Sequence, residues 1–105
     1  MVYTPKVSVV ILNWNGGEHL KKCLDSVLKT DYHDLEVIVV DNASTDGSQE
    51  LVKKCYPQVI LVENEKNLGF CVGNNIGIKK AKGEIIILLN NDTIVDGGWI
   101  KEILK

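Results

Sequence analysis

The chain has 105 residues, 45% of them hydrophobic and 25% charged, which is the balance of one globular domain with a core of its own. A net charge of −2 offers no basic surface for nucleic acid or anionic lipid, and no apolar run reaches the roughly 20 residues that cross a bilayer. Cys23, Cys55 and Cys71 form no CxxC pair, so we expect buried thiols in a reducing, cytoplasmic compartment rather than disulfides or a zinc site.

Four short apolar runs predict the strands. They are VSVVIL at residues 7–12, VIVV at 37–40, VILV at 59–62 and IIILL at 85–89. The runs are rich in β-branched residues and do not alternate with polar ones. We therefore expect each strand to be buried on both faces, as strands of a parallel sheet are.

The segments between the strands have helical signals. A first helix is indicated by an apolar stripe at Leu20, Cys23, Leu24, Val27 and Leu28. Asp46 and Gln49 have the spacing of a capping box at the start of a second helix. Asp96 is expected to cap a fourth helix that continues to Lys105.

The third helix is predicted at about residues 69–81 and contains an unusual spacing of small residues. Gly73, Gly77 and Ala81 fall four apart along it. Each interior glycine costs roughly 1 kcal/mol relative to alanine. A close approach of this helix face to the sheet, or to a ligand, would account for them.

The elements alternate as βαβαβαβα, and right-handed crossovers then give a parallel sheet with helices on both faces. We expect an α/β fold, a Rossmann-like sheet with strand order 3-2-1-4. Residues 1–105 are expected to form a single domain that is the first half of a larger one, interrupted after the fourth strand and the start of the next helix.

Every predicted strand ends in amides or acids. These residues are Asn13 and Asn15, then Asp41 with Asn42 and Ser44, then Glu63 and Asn64, and finally Asn90, Asn91 and Asp92. The carboxyl ends of parallel strands meet at one edge, where open α/β sheets bind ligands. With order 3-2-1-4, Asn13 lies between Asp41 and Asp92. Taken one at a time, these residues also suit turns and helix caps.

Three common phosphate-binding classes do not fit these motifs. A dinucleotide-binding domain needs GxGxxG after its first strand, where this chain has NWNGGEHL. A P-loop needs GxxxxGK[ST], which is absent. A phosphoacceptor signalling domain needs acids after its first and third strands, and here the first strand ends in Asn13.

Four stretches in order resemble the N-terminal, nucleotide-binding half of family 2 glycosyltransferases, which have the GT-A fold. They are VSVVILNWNGGEHLKKCLDSVL, LEVIVVDNASTDGS, NLGFCVGNNIGIKKAKGE and IILLNNDT. The last two are most similar to the branch of rhamnosyltransferase-like enzymes. The resemblance implies inverting transfer of a sugar from a nucleotide-diphospho-sugar, such as a UDP- or dTDP-sugar, to a hydroxyl of a saccharide or lipid-linked acceptor.

The resemblance also implies roles for individual residues. Donor-binding residues would be Asn13, Asn15, Asp41, Asn67, Gly69, Asn75, Asn90 and Asn91. Asn13 and Asp41 would hold the base and ribose. The segment from Asn67 to Phe70 would form a wall beside the base, with Asn75 anchoring the third helix in the pocket. Asp92 would coordinate Mg²⁺ or Mn²⁺ that bridges the donor diphosphate.

No residue of this chain matches the family's catalytic base, which lies beyond the fourth strand. We therefore expect weak nucleotide binding without sugar transfer, and possible self-association through an exposed sheet edge. The alternative is a non-catalytic α/β nucleotide-binding or assembly module, in which the acids only cap helices.

Overall fold

Four parallel strands form one sheet in the order β3-β2-β1-β4, as the sequence predicted. The computed structural model describes residues 4–105. The strands are β1 at Val7–Asn13, β2 at Leu35–Asp41, β3 at Ile60–Glu63 and β4 at Ile85–Asn90. In the register of the sheet, Asn13 is paired with Asp41, and Leu12 is paired with Asn90. The polar ends of these three strands are therefore level with one another.

Helices cover both faces of the sheet. They are α1 at Gly17–Val27, α2 at Ser48–Cys55, α3 at Gly69–Lys80 and α4 at Trp99–Ile103. The larger core joins the side chains of α1, α2 and α4 to one face, which includes Val9 and Ile11. A smaller core joins α3 to the opposite face, where Val10 and Val40 lie. Among residues 4–105, no helix is long and apolar enough to cross a membrane.

The glycines of α3 allow it to lie close to the sheet. A Cβ atom at Gly73 would lie 2.5 Å from Leu12 Cδ1, and one at Gly77 would lie 2.4 Å from Val10 Cγ1. Contacts that short force a neighbouring core side chain to move, which costs about 1–3 kcal/mol. The close approach inferred from the glycine spacing is confirmed, and the sheet is what the helix approaches.

The expectation of burial on both faces holds for β1 and β2 but is wrong for β3 and β4. Along β4 half-buried and exposed residues alternate, and Ile86 and Leu88 are 38% and 48% exposed. These two residues share a face with Val10. The reason is that α3 packs on β1 and β2 and leaves that side of β4 uncovered.

The capping box at the start of α2 is also wrong. The helix begins after Gly47, which has φ +88°, and the Asp46 carboxylate accepts a hydrogen bond from the Ser48 N–H. Gln49 turns away from the helix terminus to the end of β2. A capping box requires its third helical residue to bond back to the cap, and here a buried acid competes for that amide.

Two further predictions need correction. Helix α4 does not continue to Lys105, because it begins after Gly98 and ends at Ile103. Asp96 is not the residue that directly precedes the helix, and its side chain accepts a hydrogen bond from the Gly98 N–H. Of the three cysteines, Cys23 is buried as predicted, whereas Cys55 and Cys71 are exposed on α2 and α3. Cys55 and Cys71 are exposed because they lie on the outer sides of their helices, and the amino-acid composition alone does not predict this position.

Candidate functional site

Asn13 lies at the centre of the polar edge. Its side chain is fully buried at the end of β1, and its Nδ2 donates to Asp41 Oδ1 at 2.9 Å. On the other side, its Oδ1 accepts from Asn91 Nδ2 at 3.0 Å. The amide therefore links the end of β2 to the turn after β4, next to Asp92, whereas Asn13 and Asp41 do not line the cavity described below.

The Asp41 carboxylate is 1% exposed, and donors within the protein occupy both of its oxygens. Oδ1 accepts from Asn13 Nδ2 and, at 2.7 Å, from Ser44 Oγ. Oδ2 accepts from the Ser44 N–H at 2.9 Å and from Gln49 Nε2 at 2.6 Å. Ala43 lies between Asp41 and Ser44 and has φ +61°, a left-handed conformation that turns the chain back toward Asp41. Asp41 thus organises the loop after β2.

Asn15 joins the loop after β1 to the loop after β2. Its Oδ1 accepts from the Thr45 N–H at 2.8 Å, and its own N–H donates to Ser44 Oγ at 2.8 Å. Its φ of +51° is one that asparagine adopts more readily than most residues. The exposed Asn15 therefore ties the two loops together.

The start of α1 packs directly on the Asn13–Asn91 pair. A Cβ atom at Gly16 would lie 2.2 Å from Asn13 Oδ1 and 2.6 Å from Asn91 Nδ2. Glycine is therefore required at this position by the close approach of the backbone to the amide pair. This packing explains Gly16, whereas the next residue, Gly17, has a φ of +51°.

A cavity of about 270 Å³ opens at this edge between α3 and the ends of β1 and β4. Its lining residues are Leu12, Phe70, Asn74, Leu88, Leu89, Asn90, Asn91 and Asp92. Asp92 and Asn90 are exposed at its rim, while Asn91 is half-buried and bonded to Asn13. The structure thus brings the predicted Asn90, Asn91 and Asp92 together on one cavity.

The predicted residues of the third segment divide between structural and cavity positions. Asn67 Oδ1 accepts from the Gly69 N–H at 2.9 Å, and Gly69 has φ +83°, so both shape the start of α3. Phe70 lines the cavity and is 64% exposed. Asn75, expected in the pocket, is exposed on α3, and its neighbour Asn74 lines the cavity.

Among residues 4–105, Asp92 is the one acidic residue that lines the cavity, so a divalent cation there would meet a single carboxylate. Within residues 4–105, no group of three His, Cys, Asp or Glu side chains could hold a metal ion. The buried Cys23 thiol lies beneath the end of β4, and burial, together with the charge of Asp92, raises its pKa to about 11. The thiol is therefore protonated at neutral pH. Carboxylate and amide oxygens at the rim suit a hard cation only if a ligand adds further oxygens.

Sequence reasoning named Asn42 and Ser44 only as polar residues at the end of the second strand, assigned Gln49 to a helix cap, and did not name Asn74. Ser44 and Gln49 complete the shell around Asp41, Asn74 enters the cavity, and Asn42 is buried between α3 and β3. The Asn42 amide donates to the Gly69 carbonyl at 3.2 Å and accepts from Asn64 at 2.8 Å. One signal could have identified Asn74. It lies beside Gly73, on the helix face that the glycines turn toward the sheet.

Comparison with known proteins assigns the chain to a family. GlyG, a glycosyltransferase of Streptococcus pneumoniae, is 35% identical over 102 residues, covering 94% of this chain and 34% of GlyG. S. aureus TarS 1–349 in complex with UDP-GlcNAc has a TM-score of 0.85 at 28% identity, over 94% of this chain and 30% of TarS 1–349.

The mannosyltransferase PcManGT from Pyrobaculum calidifontis, in complex with GDP-Man and Mn²⁺, has a TM-score of 0.82 at 32% identity, over 89% of this chain and 29% of PcManGT. The chain thus spans about a third of the length of these relatives. Residues 8–105 match the family described as glycosyl transferase family 2. With the strand order, the polar edge and these relatives in agreement, the chain belongs to glycosyl transferase family 2.

Proposed function

We propose that this chain forms the donor-binding part of a glycosyltransferase that moves a sugar from a nucleotide-diphospho-sugar to an acceptor hydroxyl. The observation that carries the proposal is the cavity at the carboxyl edge with Asp92 on its rim. Proteins of the same fold are in complex with UDP-GlcNAc and with GDP-Man. A pocket at the topological switch point is the usual ligand site of such sheets.

Asp92 is the residue that would hold a divalent cation, Mg²⁺ or Mn²⁺. A structural neighbour is in complex with Mn²⁺. With one carboxylate and the amides of Asn90 and Asn91 nearby, most of the anionic ligation would come from the donor diphosphate. When bound, the metal would stabilise negative charge on the departing nucleoside diphosphate. Without a donor, we expect the metal to bind weakly.

The buried amide and acid of β1 and β2 would act by shaping the site. Asp41 holds Ser44 and Gln49, and Asn15 holds Thr45, so the loops after β1 and β2 would be fixed before a donor arrives. Direct contact between Asp41 and a nucleotide would require one of its four internal hydrogen bonds to be exchanged. Preorganisation of this kind lowers the entropic cost of binding.

Several finer assignments belong to this proposal. The sequence resemblance implies inverting transfer, a UDP- or dTDP-sugar donor and a saccharide or lipid-linked acceptor. It also implies membership of the rhamnosyltransferase-like branch. A catalytic base outside residues 1–105 and a cytoplasmic location complete the proposal. The relatives extend well beyond the matched segment, which supports placing acceptor binding in their remaining two thirds.

Titration calorimetry with UDP-GlcNAc, with and without Mn²⁺, tests the proposed function. We expect weak binding that strengthens when Mn²⁺ is present, with no continuing heat of turnover and no free UDP released. Absence of binding under both conditions would favour the assembly module instead. Sustained release of UDP by the 105-residue chain would contradict the placement of the catalytic base elsewhere.

We also propose that the chain associates with itself through β4. In residues 4–105 no strand pairs with the outer edge of β4, and Ile86 and Leu88 on its uncovered face are exposed. Unpaired apolar edges pair with other chains. Sedimentation velocity at rising protein concentration should show dimers or larger species, and Ile86→Lys should shift them toward monomer. A clean monomer of the unmodified chain at high concentration would refute the association.

A further inference from the structure

Asn91 is half-buried between two exposed residues, Asn90 and Asp92. Its Nδ2 donates to Asn13 Oδ1 at 3.0 Å. The turn after β4 is closed by one backbone hydrogen bond, from the Thr93 N–H to the Asn90 carbonyl at 3.1 Å. In residues 4–105 the Asp92 carboxylate itself takes part in no hydrogen bond or ion pair. The position of this carboxylate therefore depends on the turn, and Asn91 anchors the turn to the end of β1.

Asn13 is a fixed partner for the Asn91 amide. It is fully buried, and its Nδ2 donates to Asp41 Oδ1 at 2.9 Å and to Ser44 Oγ at 3.3 Å. Rotating the Asn13 amide by half a turn would place its oxygen against the Asp41 carboxylate, and an ionised carboxylate has no proton to donate. The Asn13 Oδ1 atom is therefore held toward the turn after β4. A side chain at position 91 satisfies that oxygen only if it donates a hydrogen bond.

The hydrogen bond between Asn13 and Asn91 is enclosed by α1. Gly16, just before this helix, lies so close to the bond that a Cβ atom there would be 2.6 Å from Asn91 Nδ2. Within the same helix, the Cys23 thiol donates to the Asn90 carbonyl at 3.7 Å. A hydrogen bond that is shielded from water is stronger than an exposed one, and a buried polar atom that loses its partner is costly. Helix α1 and strand β1 together hold the turn in one arrangement.

We propose that Asn91 is a positioning residue, which keeps the Asp92 carboxylate in place on the rim of the cavity for a divalent cation. The proposal rests on the proposed function, in which Asp92 holds that cation. A carboxylate that is fixed in advance loses less conformational freedom when the cation and the diphosphate bind. Asn91 brings no charge, and its Nδ2 is engaged with Asn13. Asp92 supplies the ligand, and Asn91 supplies its placement.

Charge and placement make opposite predictions for Asn91→Asp. This nearly isosteric exchange adds a second carboxylate beside Asp92, which should strengthen cation binding if charge alone decided the affinity. It also replaces the donor toward Asn13 Oδ1 by an acceptor, so the anchoring hydrogen bond is lost. We expect placement to dominate, so that Asn91→Asp reduces the gain in UDP affinity that Mn²⁺ brings. A larger gain than in the unmodified chain would overturn the proposal.

Asn91→Ala tests the same role by truncation, with Asn64→Ala as the matched control. Asn64 is also a half-buried asparagine directly after a strand, and its Nδ2 donates to Asn42 Oδ1 at 2.8 Å. Each exchange removes one hydrogen bond between two side-chain amides, so we expect similar decreases of the urea unfolding midpoint. In calorimetric titrations with UDP, the gain in affinity from Mn²⁺ should fall about fivefold in Asn91→Ala, the effect of one net hydrogen bond. The gain should be unchanged in Asn64→Ala.

A double variant that combines Asn91→Ala with Asp92→Asn shows whether Asn91 acts through Asp92. If it does, this variant should bind UDP in the presence of Mn²⁺ as weakly as Asp92→Asn alone, and no more weakly. A further loss would indicate a direct contact of Asn91 with the nucleotide and would overturn the positioning role. An undiminished gain from Mn²⁺ in Asn91→Ala would also overturn that role and leave the proposed function standing. Failure of the unmodified chain to bind UDP, with or without Mn²⁺, would overturn both.

Discussion

Asp41→Ala should lower the free energy of unfolding by about 3 kcal/mol or more, the largest stability loss expected from any exchange at the polar edge. The exchange removes four hydrogen bonds, one from the buried Asn13 amide and three from half-buried donors of Ser44 and Gln49. Each orphaned donor costs its desolvation, about 1–3 kcal/mol for a buried group. Urea denaturation followed by circular dichroism measures the change.

Asp34→Ala is the control for this prediction. Asp34 lies just before the other end of β2, where its exposed carboxylate faces Lys6 at 3.5 Å. Loss of such a surface pair should change the free energy of unfolding by less than about 1 kcal/mol. A similarly small effect of Asp41→Ala would show that the network around β2 does not stabilise the fold, and that Asp41 is free to serve a ligand.

Asp92→Asn should abolish the dependence of UDP binding on divalent metal while leaving the fold intact. Asp92 is exposed, and among residues 4–105 it is the one acidic residue that lines the cavity. Replacing it with an amide removes the anionic ligand that a hard cation needs. The UDP affinity measured with Mn²⁺ should fall by about 10- to 100-fold, a range typical of damage to metal sites, and approach the metal-free value.

Asp96→Asn is the matched control, since it removes one charge from the same loop. Its side chain can keep accepting the Gly98 N–H through the amide oxygen, so the start of α4 is preserved. Calorimetry should show unchanged metal dependence in this variant. Equal losses in Asp92→Asn and Asp96→Asn would indicate a general electrostatic effect of the loop and would contradict a metal role for Asp92.

The strand order and the convergence of the polar edge could be predicted because both follow from chain-level rules. Apolar runs at residues 7–12 and 37–40 are long enough to specify strands, and parallel pairing then brings Asn13 level with Asp41. The same pattern misjudged β4, because exposure there depends on which strands α3 covers. The pattern of apolar residues predicts that a strand forms, but it does not predict which helices cover that strand.

The direction of individual side chains could not be predicted in the same way. Asn74 and Asn75 are adjacent and chemically identical, and one helical step of rotation places only the first in the cavity. Gln49 has the spacing of a cap but bonds Asp41, because a buried carboxylate with an open acceptor outcompetes an exposed helix end. Such choices depend on tertiary distances, for which the sequence offers no local signal.

Leu88 belongs to two surfaces at once, the wall of the cavity and the uncovered side of β4. Any polypeptide that shields this side of β4 would therefore also cover part of the cavity wall. Occupancy of the cavity and burial of the strand are then thermodynamically linked, and each strengthens the other by the same factor.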